Sequence, residues 1–157
     1  YNEYSTGRPY TGADKDRFRS KYLDIPNAPL YPFGYGLSYT TFSISPIELD
    51  KPAMAKTETI QASVTIKNEG PLSGTEVIQL YIHDRAATVV RPVKELKHFR
   101  KIHLHPGESQ KVTFHITDQD LRFLTEHSLP ESEPGTFDLY IGTDSTTTNQ
   151  TQFTLLP

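Results

Sequence analysis

Carboxylates and histidines are the side chains of this sequence that could support acid/base catalysis or bind a metal ion. Acid/base hydrolysis needs two carboxylates at a fixed separation in a cleft. The candidates are Asp84, Asp118, Asp120, Glu131 and Glu133. All five lie beside turn residues, at predicted strand ends or in loops, where solvated carboxylates are common. We therefore predict solvated loop residues and assign no catalytic residue to this chain.

A histidine pair is the candidate metal site. His103 and His105 lie two residues apart on a predicted strand, so both side chains point to one face. His98 has the other parity and points away unless a bulge intervenes. Zinc sites use three or four protein ligands, so two histidines without a third are more typical of a surface. With no cysteine, phosphate loop or dinucleotide fingerprint, the sequence predicts neither a metal site nor a cofactor.

Charge is the next pattern. The net charge of 16 − 19 = −3 produces no global field that favours nucleic acid. Five cations lie between Arg91 and His105, and six acids lie between Asp118 and Asp138. The basic stretch could contact an acidic partner or phosphate, the two stretches could neutralise each other, or both could be solvated. The basic stretch lacks interleaved Tyr or Trp for base stacking, so we predict no nucleic acid partner. The short apolar runs predict no membrane insertion.

Aromatic side chains are the usual platform for sugars, and this chain has no Trp. Seven of its nine tyrosines lie in residues 1–40, among prolines and glycines. Proline biases the preceding residue toward extended backbone, so residues 26–36 predict an irregular strap packed along another surface. Tyr81 and Tyr140 fall on predicted strands, where core packing is expected. A dedicated sugar site is therefore the weaker interpretation.

Residues 41–157 show the alternation of half-buried strands. Ile60, Ala62, Val64 and Ile66 alternate with polar residues, whereas residues 77–82 are apolar on both faces and predict a central strand. Further alternating runs end at turn signatures, and only residues 118–124 predict a helix, of one or two turns. The sequence therefore predicts an all-β, immunoglobulin-like or fibronectin type III-like sandwich of about seven strands, preceded by the Tyr/Pro/Gly-rich strap.

Several strings together resemble one enzyme family. Thr-Gly-Arg-Pro at 6–9 and Tyr-Pro-Phe-Gly-Tyr-Gly-Leu-Ser-Tyr-Thr-Thr-Phe at 31–42 resemble the linker of family 3 glycoside hydrolases. Arg-Pro-Val-Lys-Glu-Leu-Lys-His-Phe at 91–99 and Leu-His-Pro-Gly-Glu-Ser at 104–109 are similar to the family's terminal fibronectin type III-like domain. Pro-Gly-Thr-Phe at 134–137 and Ile-Gly-Thr-Asp-Ser at 141–145 extend the likeness, which is strongest to periplasmic β-glucosidases of Gram-negative bacteria.

The resemblance implies a division of the chain and of its parent. Residues 1–40 would be the tail of an α/β sandwich domain and the interdomain linker, and residues 41–157 the fibronectin type III-like domain. The parent would hydrolyse terminal β-D-glucosyl residues, with both catalytic carboxylates upstream of this chain, in the periplasm or after secretion. The polar start, without an initiator Met or signal peptide, agrees with a piece of a longer protein.

Two functions follow for the chain itself. In the first, the sandwich and strap dock onto and stabilise the catalytic domains of the parent. The candidate docking residues are Tyr31, Phe33, Tyr35, Tyr39, Arg91 and Lys94. In the alternative, the sandwich is a module that binds an oligosaccharide, a polysaccharide or a cell-envelope glycan. An adhesin-type sandwich is a third interpretation, but a free-standing adhesin has no physical reason to carry the strap.

Overall fold

The computed structural model describes residues 28–125 and 129–157, and the expectations for residues 1–25 lie outside this range. It contains eleven strands and one short helix. The strands are β1 (Phe42–Ile44), β2 (Glu48–Leu49), β3 (Ala53–Met54), β4 (Ile60–Asn68), β5 (Gly74–Asp84), β6 (Glu95–Leu104), β7 (Ser109–Ile116), β8 (Phe123–Leu124), β9 (Pro130–Glu131), β10 (Gly135–Gly142) and β11 (Gln150–Leu155). The helix, α1, is Asp118–Leu121 and follows β7.

The smaller main sheet is built around β4, which pairs with β1 and β2 on one side and β7 on the other, always antiparallel. Ile60, Ala62, Val64 and Ile66 are at most 1% exposed, because the alternation of β4 turns all four toward the core. The predicted half-buried strand is confirmed here.

The larger sheet has five strands in the order β3-β11-β10-β5-β6. Strand β5 lies between β10 and β6 and is antiparallel to both, so the prediction of a central strand over residues 77–82 is confirmed. A register shift opposite Leu80 and Tyr81 marks a bulge in β6, where Leu80 pairs with His98 and Tyr81 with Leu96.

The core lies between these two sheets. Phe137 on β10 and Phe153 on β11 stack with ring centroids 5.4 Å apart, and Ile116 and Leu104 close the core from β7 and β6. The predicted all-β sandwich is confirmed. Six of its strands have six or more residues, and the other five have two or three, so the strand count differs slightly from seven.

The predicted helix is shorter than its sequence signal. It begins after Thr117, whose backbone N–H donates to the Asp120 carboxylate at 2.7 Å, and it ends at Leu121. Residues 123–124 instead form β8, which pairs with β9. Within residues 28–125 and 129–157, no helix has the length and apolarity that a membrane span requires.

A candidate docking surface on the strap

The described part of the strap, residues 28–40, is fixed to the outer face of the larger sheet through its backbone. Its turn is closed by the Tyr35 N–H, which donates to the Pro32 carbonyl at 3.1 Å. The Gln79 side-chain amide donates to the Gly34 carbonyl at 3.1 Å, and the Ser145 N–H donates to the Phe33 carbonyl at 2.9 Å. Gln79 is only 4% exposed, although it lies on the outer face of the sheet.

Gly34 permits this close approach. Its φ is +81°, a conformation that residues with a Cβ rarely adopt. A Cβ on Gly34 would lie 2.1 Å from Gln79 Oε1, so the Gln79 amide or the strap would have to move. The glycine of the Pro-Phe-Gly string is therefore required by backbone geometry and by packing.

Asn68 forms the second anchor, near the start of β1. Its side chain is fully buried. The Thr40 hydroxyl donates to Asn68 Oδ1 at 2.7 Å, and Asn68 Nδ2 donates to the Leu104 carbonyl at 3.0 Å and the Leu72 carbonyl at 2.8 Å. One amide thus joins the strap, the turn after β4 and the end of β6.

The aromatic side chains of the strap are exposed to different degrees. Tyr31 is 67% exposed, Phe33 42%, Tyr35 45% and Tyr39 97%. The rings of Tyr31 and Tyr35 stack on each other with centroids 5.5 Å apart. Leu37 is also exposed. Apolar groups on an anchored backbone form a preorganised patch of the kind that marks interaction sites.

The sequence reasoning missed Phe99, which extends this patch. Phe99 is 68% exposed and lies directly opposite Gln79 in the β5–β6 pairing, beside the residue that anchors Gly34. An available signal was its parity, because Ile102 and Leu104 point inward and Phe99 must therefore point outward. We define the docking surface as Tyr31, Phe33, Tyr35, Leu37, Tyr39 and Phe99.

The two cationic candidates contact their own domain instead of solvent. Arg91 donates to the Glu95 carboxylate at 2.7 Å, and its guanidinium lies 4.5 Å from the centre of the Phe123 ring. Its side chain is 12% exposed.

Lys94 has the same inward character. Its ammonium donates to the carbonyls of Ser145 and Thr147 at 3.0 and 2.6 Å, and it lies 4.2 Å from the Tyr140 ring centre. Burial lowers the pKa of Lys94, and Asp144 opposes that shift. The geometry favours a bracing role within the sandwich, and a role for Lys94 or Arg91 in docking stays a prediction.

The histidines are arranged as the strand parity predicted. The His103 and His105 rings lie 5.6 Å apart on the outer face, and their Nδ1 atoms lie 3.0 Å from Thr75 Oγ1 and 2.9 Å from Ser73 Oγ. His98 points the other way, with Nε2 3.0 Å from Asp120 Oδ1. No cluster of three or more metal-ligating side chains occurs among the residues that the structure describes.

The acidic candidates have separate environments, and the prediction of a solvated loop residue is wrong for Asp118 and for Asp120, whose side chain is 16% exposed and pairs with His98. Asp118 is 7% exposed and is not a solvated loop residue. It accepts hydrogen bonds from the Ser132 hydroxyl and from Arg122 Nε, the latter at 2.7 Å. Burial alone would raise the pKa of Asp118, but these two donors outweigh it and leave the pKa lowered. This carboxylate holds α1 against the residues that follow β9.

The structure also places the two strand tyrosines and the two charged stretches. Tyr81 is fully buried, as predicted, and its hydroxyl donates to Gln79 Oε1. Tyr140 is half-buried beneath Lys94. Contact between the basic and acidic stretches is made by His98 with Asp120, whereas Arg91 and Lys97 both pair locally with Glu95.

Comparison with known proteins assigns the sandwich. Residues 76–145 match the family profile described as "Fibronectin type III-like domain". The chain is 45% identical over 156 residues to the "Periplasmic beta-glucosidase" of Salmonella typhimurium, covering 99% of this chain and 20% of that protein. It is 46% identical over 138 residues to the "Putative beta-xylosidase" of Formosa agariphila, covering 88% of this chain and 18% of that protein.

A solved structure agrees. The crystal structure of the Listeria innocua β-glucosidase in complex with glucose superposes with a TM-score of 0.92 at 40% identity, over 100% of this chain and 22% of that one. This chain thus spans about a fifth of the relatives that it matches. It corresponds to the C-terminal fibronectin type III-like part of family 3 β-glucosidases, a non-catalytic part of those larger enzymes.

Proposed function

We propose that this chain is the C-terminal accessory part of a periplasmic or secreted β-glucosidase, and that it docks onto the catalytic domains of that enzyme through the docking surface. The parent would hydrolyse terminal β-D-glucosyl residues and carry its catalytic carboxylates outside this chain. The proposed division is a tail and linker over residues 1–40 and an accessory domain over residues 41–157.

One observation carries the docking proposal. Gln79 and Ser145 hold the strap backbone and Asn68 holds the Thr40 side chain, yet the aromatic side chains of the strap are exposed, with Tyr39 97% exposed. Ordering backbone costs conformational entropy of about 1–2 kcal/mol per residue. The entropy cost of ordering this exposed aromatic segment is offset if another protein surface covers it and buries its rings. Interfaces between domains of one chain bury roughly 600–1,500 Å². The docking surface would form part of such an interface.

The enzyme class rests on the relatives. The Salmonella protein matches over 99% of this chain and is called a periplasmic β-glucosidase, which supports both the activity and the location proposed for the parent. The Formosa protein, at nearly the same identity, is called a putative β-xylosidase. The longer match to the Salmonella protein is the ground for proposing a β-glucosidase over a β-xylosidase.

The full product of the reading frame that encodes this chain tests the proposal. We expect it to hydrolyse an aryl β-glucoside faster than an aryl β-xyloside. Removal of residues 41–157 should lower its melting temperature and its soluble yield, because the strap would lose its anchors Gln79, Ser145 and Asn68 and would no longer be held against the catalytic domains. Absence of glycosidase activity would contradict the enzyme class. An active truncated protein with unchanged melting temperature and yield would contradict docking.

A further inference from the structure

Two cations beside the docking surface have no partner within this domain. Residues 28–125 and 129–157 hold eleven lysines and arginines. Nine of these have a carboxylate or carbonyl oxygen of the domain within 3.7 Å, as Lys51 has in Glu58. Arg100 and Lys101 are the two exceptions in that part of the chain. Both are exposed, and they directly follow Phe99 on β6.

The position of β6 makes both side chains accessible at the border of the docking surface. Strand β6 is the last strand of the larger sheet, so β5 pairs with only one of its two edges. Phe99 lies opposite Gln79, which holds the strap, and Lys101 lies opposite Val77. Phe99 and Lys101 therefore share the outer face. Arg100 points to the other face but is exposed beside the free edge.

The rest of the docking surface is uncharged. Residues 28–40 contain no Lys, Arg, Asp, Glu or His. Protein interfaces typically have an apolar centre rich in aromatic residues, a polar rim, and more Arg than the remaining surface. The strap rings and Phe99 match such a centre, and Arg100 and Lys101 lie where its rim begins.

The basic stretch of residues 91–105 thus divides into two groups. Arg91 and Lys97 pair with Glu95, and Lys94 donates to two carbonyls, so their charges are satisfied within the domain. Arg100 and Lys101 retain their charges for a partner. An Arg guanidinium matches a carboxylate in bidentate geometry, and a Lys ammonium binds one as a compact point charge.

We propose that Arg100 and Lys101 pair with carboxylates of the catalytic domains, at the rim of the interface that the docking surface forms. This inference rests on the proposed docking and names the chemistry of the partner surface. That surface would be apolar where it covers the strap and acidic where it meets β6. Its anions are carboxylates because Asp and Glu supply the negative charge of a protein surface.

Acetylation of lysines in the unaltered protein tests the contact. The 157-residue chain and the full product of its reading frame are treated with an amine-acetylating reagent, and the rate at each lysine is followed by mass spectrometry. We expect Lys101 to react at least about tenfold more slowly in the full protein, because reaction would require the interface to open. Lys111, on the other sheet with its side chain 57% exposed, is the internal control and should react alike in both.

Equal reactivity of Lys101 in the two proteins would overturn the proposal. It would indicate that the two cations only keep the free edge of β6 from pairing with other strands. Docking itself would still stand if Leu37→Ser with Tyr39→Ser lowered Tm in the full protein alone. Protection of Lys101 by inorganic phosphate in the isolated chain, without protection in the full protein, would assign the pair to a phosphate ligand instead.

Removal of both charges tests the acidic partner. Arg100→Gln with Lys101→Gln should lower Tm of the full protein by several degrees and change that of the isolated chain by about 1 °C or less. Lys67→Gln with Lys111→Gln is the matched control, because it removes two exposed cations from the other sheet and changes the net charge equally. It should have a similar, small effect in both proteins. A loss in the full protein no greater than that of the control would overturn the proposal.

Discussion

Replacing Gly34 by Ala should release the strap from the sheet while leaving the sandwich folded. The left-handed conformation of residue 34 costs an L-residue about 1–2 kcal/mol. The new Cβ would lie 2.1 Å from Gln79 Oε1, and Gln79 cannot withdraw without losing hydrogen bonds to Gly34, Thr143 and Tyr81. Separation also breaks the bond from the Ser145 N–H to the Phe33 carbonyl. Separation relieves the strain but loses the two strap bonds, which at about 1 kcal/mol each is about 2 kcal/mol.

Hydrogen exchange at the Ser145 amide measures this loss, because that N–H donates directly to the strap. A loss of about 2 kcal/mol corresponds to roughly a 30-fold faster exchange, up to the unprotected rate. Gly36→Ala is the matched control: Gly36 has no atom within 4 Å of an added Cβ, and it is not among the positive-φ glycines. Equal Ser145 protection in the Gly34→Ala and Gly36→Ala chains would refute the anchoring argument.

Three further substitutions test the contacts that position the docking surface. Asn68→Ala leaves two carbonyls and the Thr40 hydroxyl without a buried partner, so it should destabilise the chain by about 3 kcal/mol and lower Tm by about 6–12 °C; a change within 2 °C would contradict the hub role. Lys94→Met should cost about 2 kcal/mol in urea unfolding, because its two carbonyl bonds brace the sandwich; an unaltered midpoint would return Lys94 to the docking candidates. The lowered pKa of Asp118 contributes stability that is complete above about pH 4 and is lost as the pH falls through the folded-state pKa. Asp118→Asn should therefore reduce the loss of stability at acidic pH. The same loss of stability in the variant would refute this linkage.

The sandwich could be predicted because its strands carry strong local signals. The alternation of β4 and the doubly apolar run of β5 each encode one burial pattern, and the turn at His105–Glu108 places glycine at Gly107, where φ is +75°. The short strands β2, β3, β8 and β9 could not be predicted. Two residues have no measurable periodicity, and their pairing is decided by the chain that lies beside them.

The docking surface could be predicted only in part. The composition of residues 1–40 indicated a strap, but the anchors are long-range contacts to Gln79, Asn68 and Ser145 that no spacing encodes. Arg91 and Lys94 were grouped with the strap because charge suggested exposure, whereas Glu95, Phe123 and two carbonyls draw them inward. The burial of Asp118 could not be predicted either. Hydrogen bonds from Arg122 and Ser132 offset the cost of burying its carboxylate, and the spacing of these residues does not reveal them.

The docking claim is tested most directly by substituting the same side chains in two contexts. Leu37→Ser and Tyr39→Ser are introduced together into this 157-residue chain and into the full product of its reading frame, and Tm is measured in each. Because Leu37 is 89% exposed and Tyr39 97% exposed here, we predict a change within about 1 °C in the isolated chain. A decrease of several degrees is predicted in the full protein, where the catalytic domains would cover them. Leu124→Ser, at another exposed apolar residue, should have little effect in either context. Equal changes in the two contexts would contradict docking through the strap.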